Sequence, residues 1–479
     1  MTRGEPGIEL RGVLARYWPL SLIAGLCAAA MAAGTMWILG ATAAVVVLCL
    51  IHILRISAVE LLVVTMPVSF YAGAGPLVVN VTVSDFLLAV VAVQLFADRD
   101  IRRVVSKFSG PLSTALAVSG LFVITCGGTI WVRSLLGLDT DWVEFVSNAF
   151  KLVIVMVFFF VCVVAFGRLD REGLRRVLSL WAMTAAVVGA LGAVASILYP
   201  LGIDIGMSFD FRATATFEDP NAFASYLLLS IPICLLARHL SGRHLFGWQL
   251  LPILAGVYTS YSRGAIIALT VMLVGLFVFS LGDRALRLLR ILSAVVAVAA
   301  VCLLLSGAVD ALFEDSRGTG FETDIRFQLW QAAWELWKTS PIFGVGLGQF
   351  VGSAAGFIDH GAEGVIAHST YLSMLSETGL VGFVLFMLVP VHVGVALVRD
   401  RSTGSRLFGG SLLSVLVMAA SLNLQNSRSL WVLLALALAW TARGLSEQGR
   451  EYRENARFRP TRSSRMPGKQ KHTMSGVRR

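Results

Sequence analysis

The chain has 479 residues, 57% of them hydrophobic and 14% charged, with a formal charge of +10 and a mean hydropathy of +0.78. That balance excludes an ordinary soluble globular protein and predicts an all-α, polytopic helical membrane protein. The positive charge does not imply nucleic acid as a partner, because much of it is gathered from Arg443 onward, where eleven Lys/Arg face Glu447, Glu451 and Glu454, a difference of +8.

A hydrocarbon core about 30 Å thick takes about 20 apolar residues per helix. In chain order the apolar runs at 18–34, 37–54, 58–73, 83–97, 111–130, 149–166, 177–199, 221–237, 247–260, 264–281, 289–306, 379–398, 407–423 and 429–442 predict about fourteen transmembrane helices. The stretch 18–54 is readable as a hairpin or as one bent helix. Arg3, Arg11 and Arg16 precede it as in a signal peptide, but the apolar run continues to Leu54, so a retained first helix is expected. All six cysteines fall in apolar runs without metal-ligand spacing and read as small core residues. The organisation that follows is an N-terminal transmembrane bundle (1–306), a large outer loop with amphipathic helices (307–378), C-terminal transmembrane helices (379–442) and a basic tail (443–479). The tail carries no apolar period and is expected to be disordered, beside anionic lipid on the cytoplasmic side.

Alternate loops are basic: Arg99, Arg102, Arg103 and Lys107; Arg168, Arg171, Arg175 and Arg176; Arg238 and Arg243; Arg284, Arg287 and Arg290; Arg399, Arg401 and Arg406. Basic loops stay on the cytoplasmic side, which places both termini there, in the inner or plasma membrane. The opposite face collects Arg133, Asp139 and Asp141; Asp210, Arg212, Glu218, Asp219 and Asn221; Ser262 and Arg263; the loop 306–378; and Asn423 to Arg428. Arginines are disfavoured in short translocated loops, so Arg212, Arg263 and Arg326 are the informative exceptions. The spans lack the buried carboxylates of ion-coupled transport, Glu60 being the clearest acid and placed near a helix end.

Each outer motif has a plain alternative. Asp219 before Pro220 is ordinary capping chemistry, or the opening of a helix whose N-terminus, beside Arg212, favours an anion. Arg263, in a tight Tyr261-Ser262-Arg263-Gly264 connection, either snorkels or points several donors at a phosphate. Between Arg326 and Lys338, Phe327, Trp330, Trp334 and Trp337 recur at helical spacing, predicting an interfacial amphipathic helix whose aromatic stripe is packing rather than a sugar platform. Gly344-Val345-Gly346-Leu347-Gly348 lacks the Lys-Ser/Thr and the βαβ context of a nucleotide loop and reads as a tight turn for close backbone approach. His368 shares one helical face with Tyr371, Leu372 and Leu375; a neutral imidazole there is either structural or a base able to take a proton near neutrality.

Taken together, Phe217 to Asn221, Ser262-Arg263-Gly264, Arg326 followed by the Trp-rich helix and Pro341 to Gly348, and His368-Ser369 with Gly379 to Gly382 resemble the O-antigen ligase / O-antigen polymerase superfamily. The distinctive motifs cover about residues 210–385. The resemblance implies a membrane C-type glycosyltransferase-like fold. It implies a glycosyltransferase using a polyprenyl-pyrophosphate-linked glycan donor, acting on a glycan, lipid or protein acceptor at the periplasmic or exterior face, with no cofactor or metal. By the same resemblance His368 is the general base, Arg263 and Arg326 bind the donor pyrophosphate, and Arg212, Asp219 and Tyr371 are further substrate-binding candidates. Ser369 stands where relatives often carry Asn, and fourteen spans exceed the twelve common in ligases of the family. The competing expectation is a transporter or flippase for lipid-linked glycans or a small anion, in which the same cations would line a path across the bilayer.

Overall fold

The computed structural model describes residues 57–68, 82–98, 101–107, 109–243, 247–279, 321–354, 356–358 and 366–457, with isolated positions between 291 and 298. The expected spans at 18–34 and 37–54, most of that at 289–306, and the chain beyond 457 lie outside the described residues. The described elements are helices α1 (Ala58–Thr65), α2 (Val83–Ala97), α3 (Ile101–Lys107), α4 (Ser109–Leu135), α5 (Trp142–Arg168), α6 (Arg171–Leu198), α7 (Pro220–Leu240), α8 (Leu250–Thr259), α9 (Arg263–Phe279), α10 (Phe321–Thr339), α11 (Phe350–Ala354), α12 (Thr370–Asp400), α13 (Thr403–Met418) and α14 (Arg428–Arg457). A 3-10 turn at Tyr199–Leu201 follows α6. Two short strands, β1 (Ser208–Phe209) and β2 (Arg212–Ala213), pair antiparallel with Phe209 opposite Arg212.

Gly110–Leu135, Trp142–Arg168, Arg171–Leu201, Pro220–Leu240 and Thr370–Asp400 are long and apolar enough to cross a bilayer. Val83–Ala97, Leu250–Thr259, Arg263–Val278 and Thr403–Met418 are apolar but shorter. Two boundaries differ from the sequence expectation. The run at 58–73 contains an eight-residue helix that ends at Thr65, shortly before Pro67, as a residue without an N–H requires. The span expected from 379 agrees with the second part of α12, which Gly379 (φ 63°, ψ −170°) separates from a first part beginning at Thr370. The last helix runs past 442 to Arg457, where disorder was expected from 443.

The middle of the bundle is α7. Of its membrane window, 94% is buried, and α6, α8, α9 and α13 pack around it. Small residues permit this closeness, as expected where lipid offers no hydrophobic drive between helices. A Cβ on Gly189 of α6 would sit 2.5 Å from the Pro252 carbonyl oxygen of α8, and one on Gly256 would sit 2.6 Å from Leu227 Cδ1 of α7. Gly192 likewise leaves room for the Phe223 ring. Inside the bundle Trp181 Nε1 donates to Ser230 Oγ (3.0 Å), which donates to the Tyr226 carbonyl (2.7 Å). Ser411 Oγ of α13 donates to the Leu229 carbonyl (2.7 Å) beside Pro232, where the ladder of α7 is interrupted. Cys126, Cys162 and Cys234 are buried free thiols.

The contacts sort the helix ends into two sets. At one end Arg168 pairs with Asp98, Arg175 reaches Ser241 (3.5 Å), Arg443 donates to the Phe166 carbonyl (2.6 Å) and Trp440 Nε1 donates to Ser402 Oγ (3.1 Å). These are the basic loops of the sequence pattern. The other end gathers the C-termini of α4, α6, α8 and α13 with the N-termini of α5, α7, α9, α12 and α14. There Arg428, at the start of α14, binds both carboxylate oxygens of Asp85, near the start of α2 (2.8 and 2.7 Å). Glu60 sits in the first turn of α1, in a capping box with Ser57.

Candidate functional site

Asn221 ties three separate segments together at this second end. Asp219 caps α7, its Oδ1 accepting from the Asn221 backbone N–H (2.7 Å) and from Asn221 Nδ2 (2.9 Å). That leaves Asn221 Oδ1 turned toward Ser262 Oγ, which donates to it at 2.7 Å, and toward Arg212 Nη2 at 3.4 Å. Arg212 Nε donates to the Ser260 carbonyl (3.1 Å). The guanidinium is thus buried, 7% exposed, between the hairpin of β1 and β2 and the α8–α9 connection. That connection reverses at Tyr261 (φ 50°), whose ring stands edge-on to Phe211 at 5.1 Å. Arg263, half-buried, is the first residue of α9. Partial burial raises the neighbouring Glu218 carboxyl above its ordinary value.

His368 lies two residues before α12 in the left-handed region (φ 47°), and so outside the helical face of Tyr371, Leu372 and Leu375 expected from the sequence; surrounding structure must hold this uncommon conformation. Ser369 caps the helix, accepting from the Leu372 N–H (3.4 Å). The Thr370 N–H donates to the Ala419 and Leu422 carbonyls (2.9 and 3.1 Å), its Oγ1 donates to Leu422 (2.7 Å) and accepts from the Leu424 N–H (2.8 Å). Ser373 Oγ donates to Asn423 Oδ1 (3.2 Å). The α13–α14 turn therefore anchors the start of the His368 helix. The same turn meets α9, since a Cβ on Gly264 would lie 2.9 Å from Ser421 Oγ. Gly264, next to Arg263, and Thr370, two residues after His368, thus share one neighbour. The Tyr371 hydroxyl donates to the Leu416 carbonyl (2.6 Å) and its ring meets Phe383 edge-on, so this side chain is turned toward α13.

Arg326 lies half-buried on α10. The packing face of α10 is Leu329, Ala332, Ala333 and Leu336, joined by Ala367 and Leu372 from either side of His368. Arg326 is thereby carried on a helix that packs beside His368, although no hydrogen bond from its side chain is described. The aromatic stripe is not this packing face: Phe327 is 67% and Trp334 46% exposed. Exposed Phe327 and Trp334 beside half-buried Trp330 and Trp337 fit the interfacial amphipathic helix expected from the sequence.

The turn between α10 and α11 makes the close approach expected of it. Gly344, Gly346 and Gly348 have φ of 74°, 108° and 77°, and Gly344 to Phe350 are all buried. The break at Gly379 frees backbone groups of α12, and this segment takes them up: the Val345 and Gly346 N–H groups donate to the Ser376 and Glu377 carbonyls (both 2.9 Å). The Leu380 and Val381 N–H groups donate to the Pro341 and Ile342 carbonyls (2.9 and 3.1 Å). Unsatisfied backbone is too costly in lipid for the break to stand alone.

Five of the six candidate residues, Arg212, Asp219, Arg263, His368 and Tyr371, belong to elements that meet at this end, with Arg326 on the adjoining α10. The sequence did not reveal Asn221 as their tie, the α13–α14 turn as their common neighbour, or the Asp85–Arg428 pair; none has a local signature. Among the described residues no three His, Cys, Asp or Glu side chains are grouped to hold a metal ion.

Residues 249–387 match the family model Wzy_C, described as O-antigen ligase. The match runs from α8 into α12 and takes in Arg263, Arg326, the glycine turn and His368, and it supports the O-antigen ligase superfamily. Arg212 and Asp219 lie before it. No curated protein matches the chain.

Proposed function

We propose that the protein is an O-antigen ligase- or polymerase-like glycosyltransferase of the cytoplasmic membrane, built of about fourteen transmembrane helices. It moves a glycan from a polyprenyl-pyrophosphate carrier to an acceptor hydroxyl at the end of the bundle facing the periplasm or cell exterior. His368 accepts the proton of the acceptor hydroxyl as that oxygen forms its bond to the anomeric carbon. The bond from that carbon to the pyrophosphate breaks in line, inverting the centre, and the leaving oxygen takes the electron pair. Pyrophosphate is a good leaving group, so positioning and charge stabilisation outweigh acid catalysis. Arg263 and Arg326 bind the pyrophosphate, and Arg212 and Asp219 shape the floor beside Arg263.

The observation that carries this reading is the shared neighbour: the α13–α14 turn touches both Gly264, next to Arg263, and Thr370, two residues after His368. Segments gathered at one end suit a surface reaction, whereas a carrier of lipid-linked glycans or small anions needs its cations spread through the bilayer. The test uses purified protein with a lipid-linked donor. His368→Ala should abolish transfer and leave donor binding nearly intact. Arg263→Ala should weaken donor binding and cost about a hundredfold in rate, roughly 3 kcal/mol. Undiminished transfer by His368→Ala would remove the base from the mechanism.

A further inference from the structure

The same end of the molecule holds a carboxylate with no part in the transfer chemistry above. Glu377 lies two residues before the break in α12, seven after Thr370. Its Oε1 accepts from the Phe350 N–H (3.3 Å). Its own backbone carbonyl accepts from Gly346. One residue of α12 therefore holds the glycine turn by both main chain and side chain. The turn is gripped from two other sides. Arg133, at the end of α4, donates through Nη1 to the Val345 carbonyl (3.0 Å) and through Nε to the Asp139 carbonyl (2.8 Å). Gln349 exchanges paired bonds with the Asp141 backbone (2.8 Å each). The turn is thus fixed to the α4–α5 connection, and Glu377 is where α12 is fixed to the turn.

The mechanical consequence lies in Gly379. Its backbone conformation divides α12 into a short rod, 370–378, and a long one, 380–400, and a joint with no internal ladder has no direction of its own. The backbone bonds across the joint set the spacing of the two rods; the α13–α14 turn holds the head of the short one through Thr370 and Ser373, and the Glu377 side chain ties its foot to the glycine turn. We propose that Glu377 is a positioning residue for His368, acting by locking the short rod, and with it the imidazole at its head, against the glycine turn. This rests on the reading of His368 as the base.

The experiment uses the full-length protein in lipid nanodiscs, without donor, and measures the rate at which diethyl pyrocarbonate modifies each histidine, by peptide mass spectrometry. Glu377→Ala should change the His368 rate about threefold or more and leave His239 and His392 unchanged, while turnover falls about tenfold or more at nearly constant KM for donor. Glu377→Gln keeps an acceptor oxygen for the Phe350 N–H and should restore most of both. A folded Glu377→Ala protein whose His368 reacts at the wild-type rate overturns the proposal. Where Glu377→Ala does not fold, Gln349→Ala loosens the same turn from its other side and is read by the same labelling. Full transfer by His368→Ala would refute the base, while the labelling still decides the positioning.

Discussion

At the centre of the molecule α7 is enclosed through shape: Gly189, Gly192 and Gly256 let neighbouring backbones and the Phe223 ring come close, and the surrounding side chains are apolar. At the rim that carries His368, irregular segments are held instead by hydrogen bonds between residues far apart in the chain. Arg428 binds Asp85 across 343 positions, and Arg133 binds Val345 across 212. The centre depends on many small contacts, the rim on a few directional ones. A substitution at the centre should therefore lower the amount of folded protein, whereas one at the rim should lower the activity of protein that still folds.

The sharpest way to break this contrast is Gly189→Leu, which forces a side chain into the Pro252 backbone. Overpacking of this kind costs about 3 kcal/mol, so the thermal midpoint in detergent should fall and transfer per folded molecule should stay near wild type. Lost activity at unchanged stability would mean the centre also gates the chemistry. Gly379→Ala should do the reverse. Its φ and ψ belong to a region open almost solely to glycine, a strain of about 2 kcal/mol, and Ile342 and Phe343 leave no room for a Cβ. Thermal melting should show that strain plus the cost of the backbone clash, and single-turnover assays on the protein that still folds should show a further deficit because the short rod bearing His368 is displaced. The smallest effect belongs to Asp85→Asn, Arg428→Ala and their combination. A partly buried, bidentate pair should give a coupling energy of about 1 kcal/mol in a double-mutant cycle. A coupling near zero would mean that backbone bonds alone hold α14 to the rim.

Much of this was legible in the chain because it depends on composition and spacing. The lipid-facing helices, the segregation of basic loops to one end, the cap at Asp219-Pro220 and the glycine turn all follow from local rules about apolar length, charge and backbone freedom. The outer arginines stood out for a similar reason, since a short translocated loop seldom carries one. The helix ending at Thr65 and the helical extension to Arg457 were missed because Pro67 sits inside a run that reads as one span by apolar composition, and because the charged sequence after 442 carries no apolar period.

By itself, then, the sequence determined that the chain lives among lipids, which end of the bundle collects its basic loops, and which imidazole and guanidinium groups are worth suspecting. Only the tertiary structure decided that Asn221 joins Arg212 to Ser262, that one turn near Ser421 borders both α9 and α12, and that Glu377 reaches the Phe350 amide. The reason is physical. A membrane helix is specified by the transfer energy of its own residues, whereas a hydrogen bond across the rim needs two partners whose separation along the chain carries no trace of their meeting.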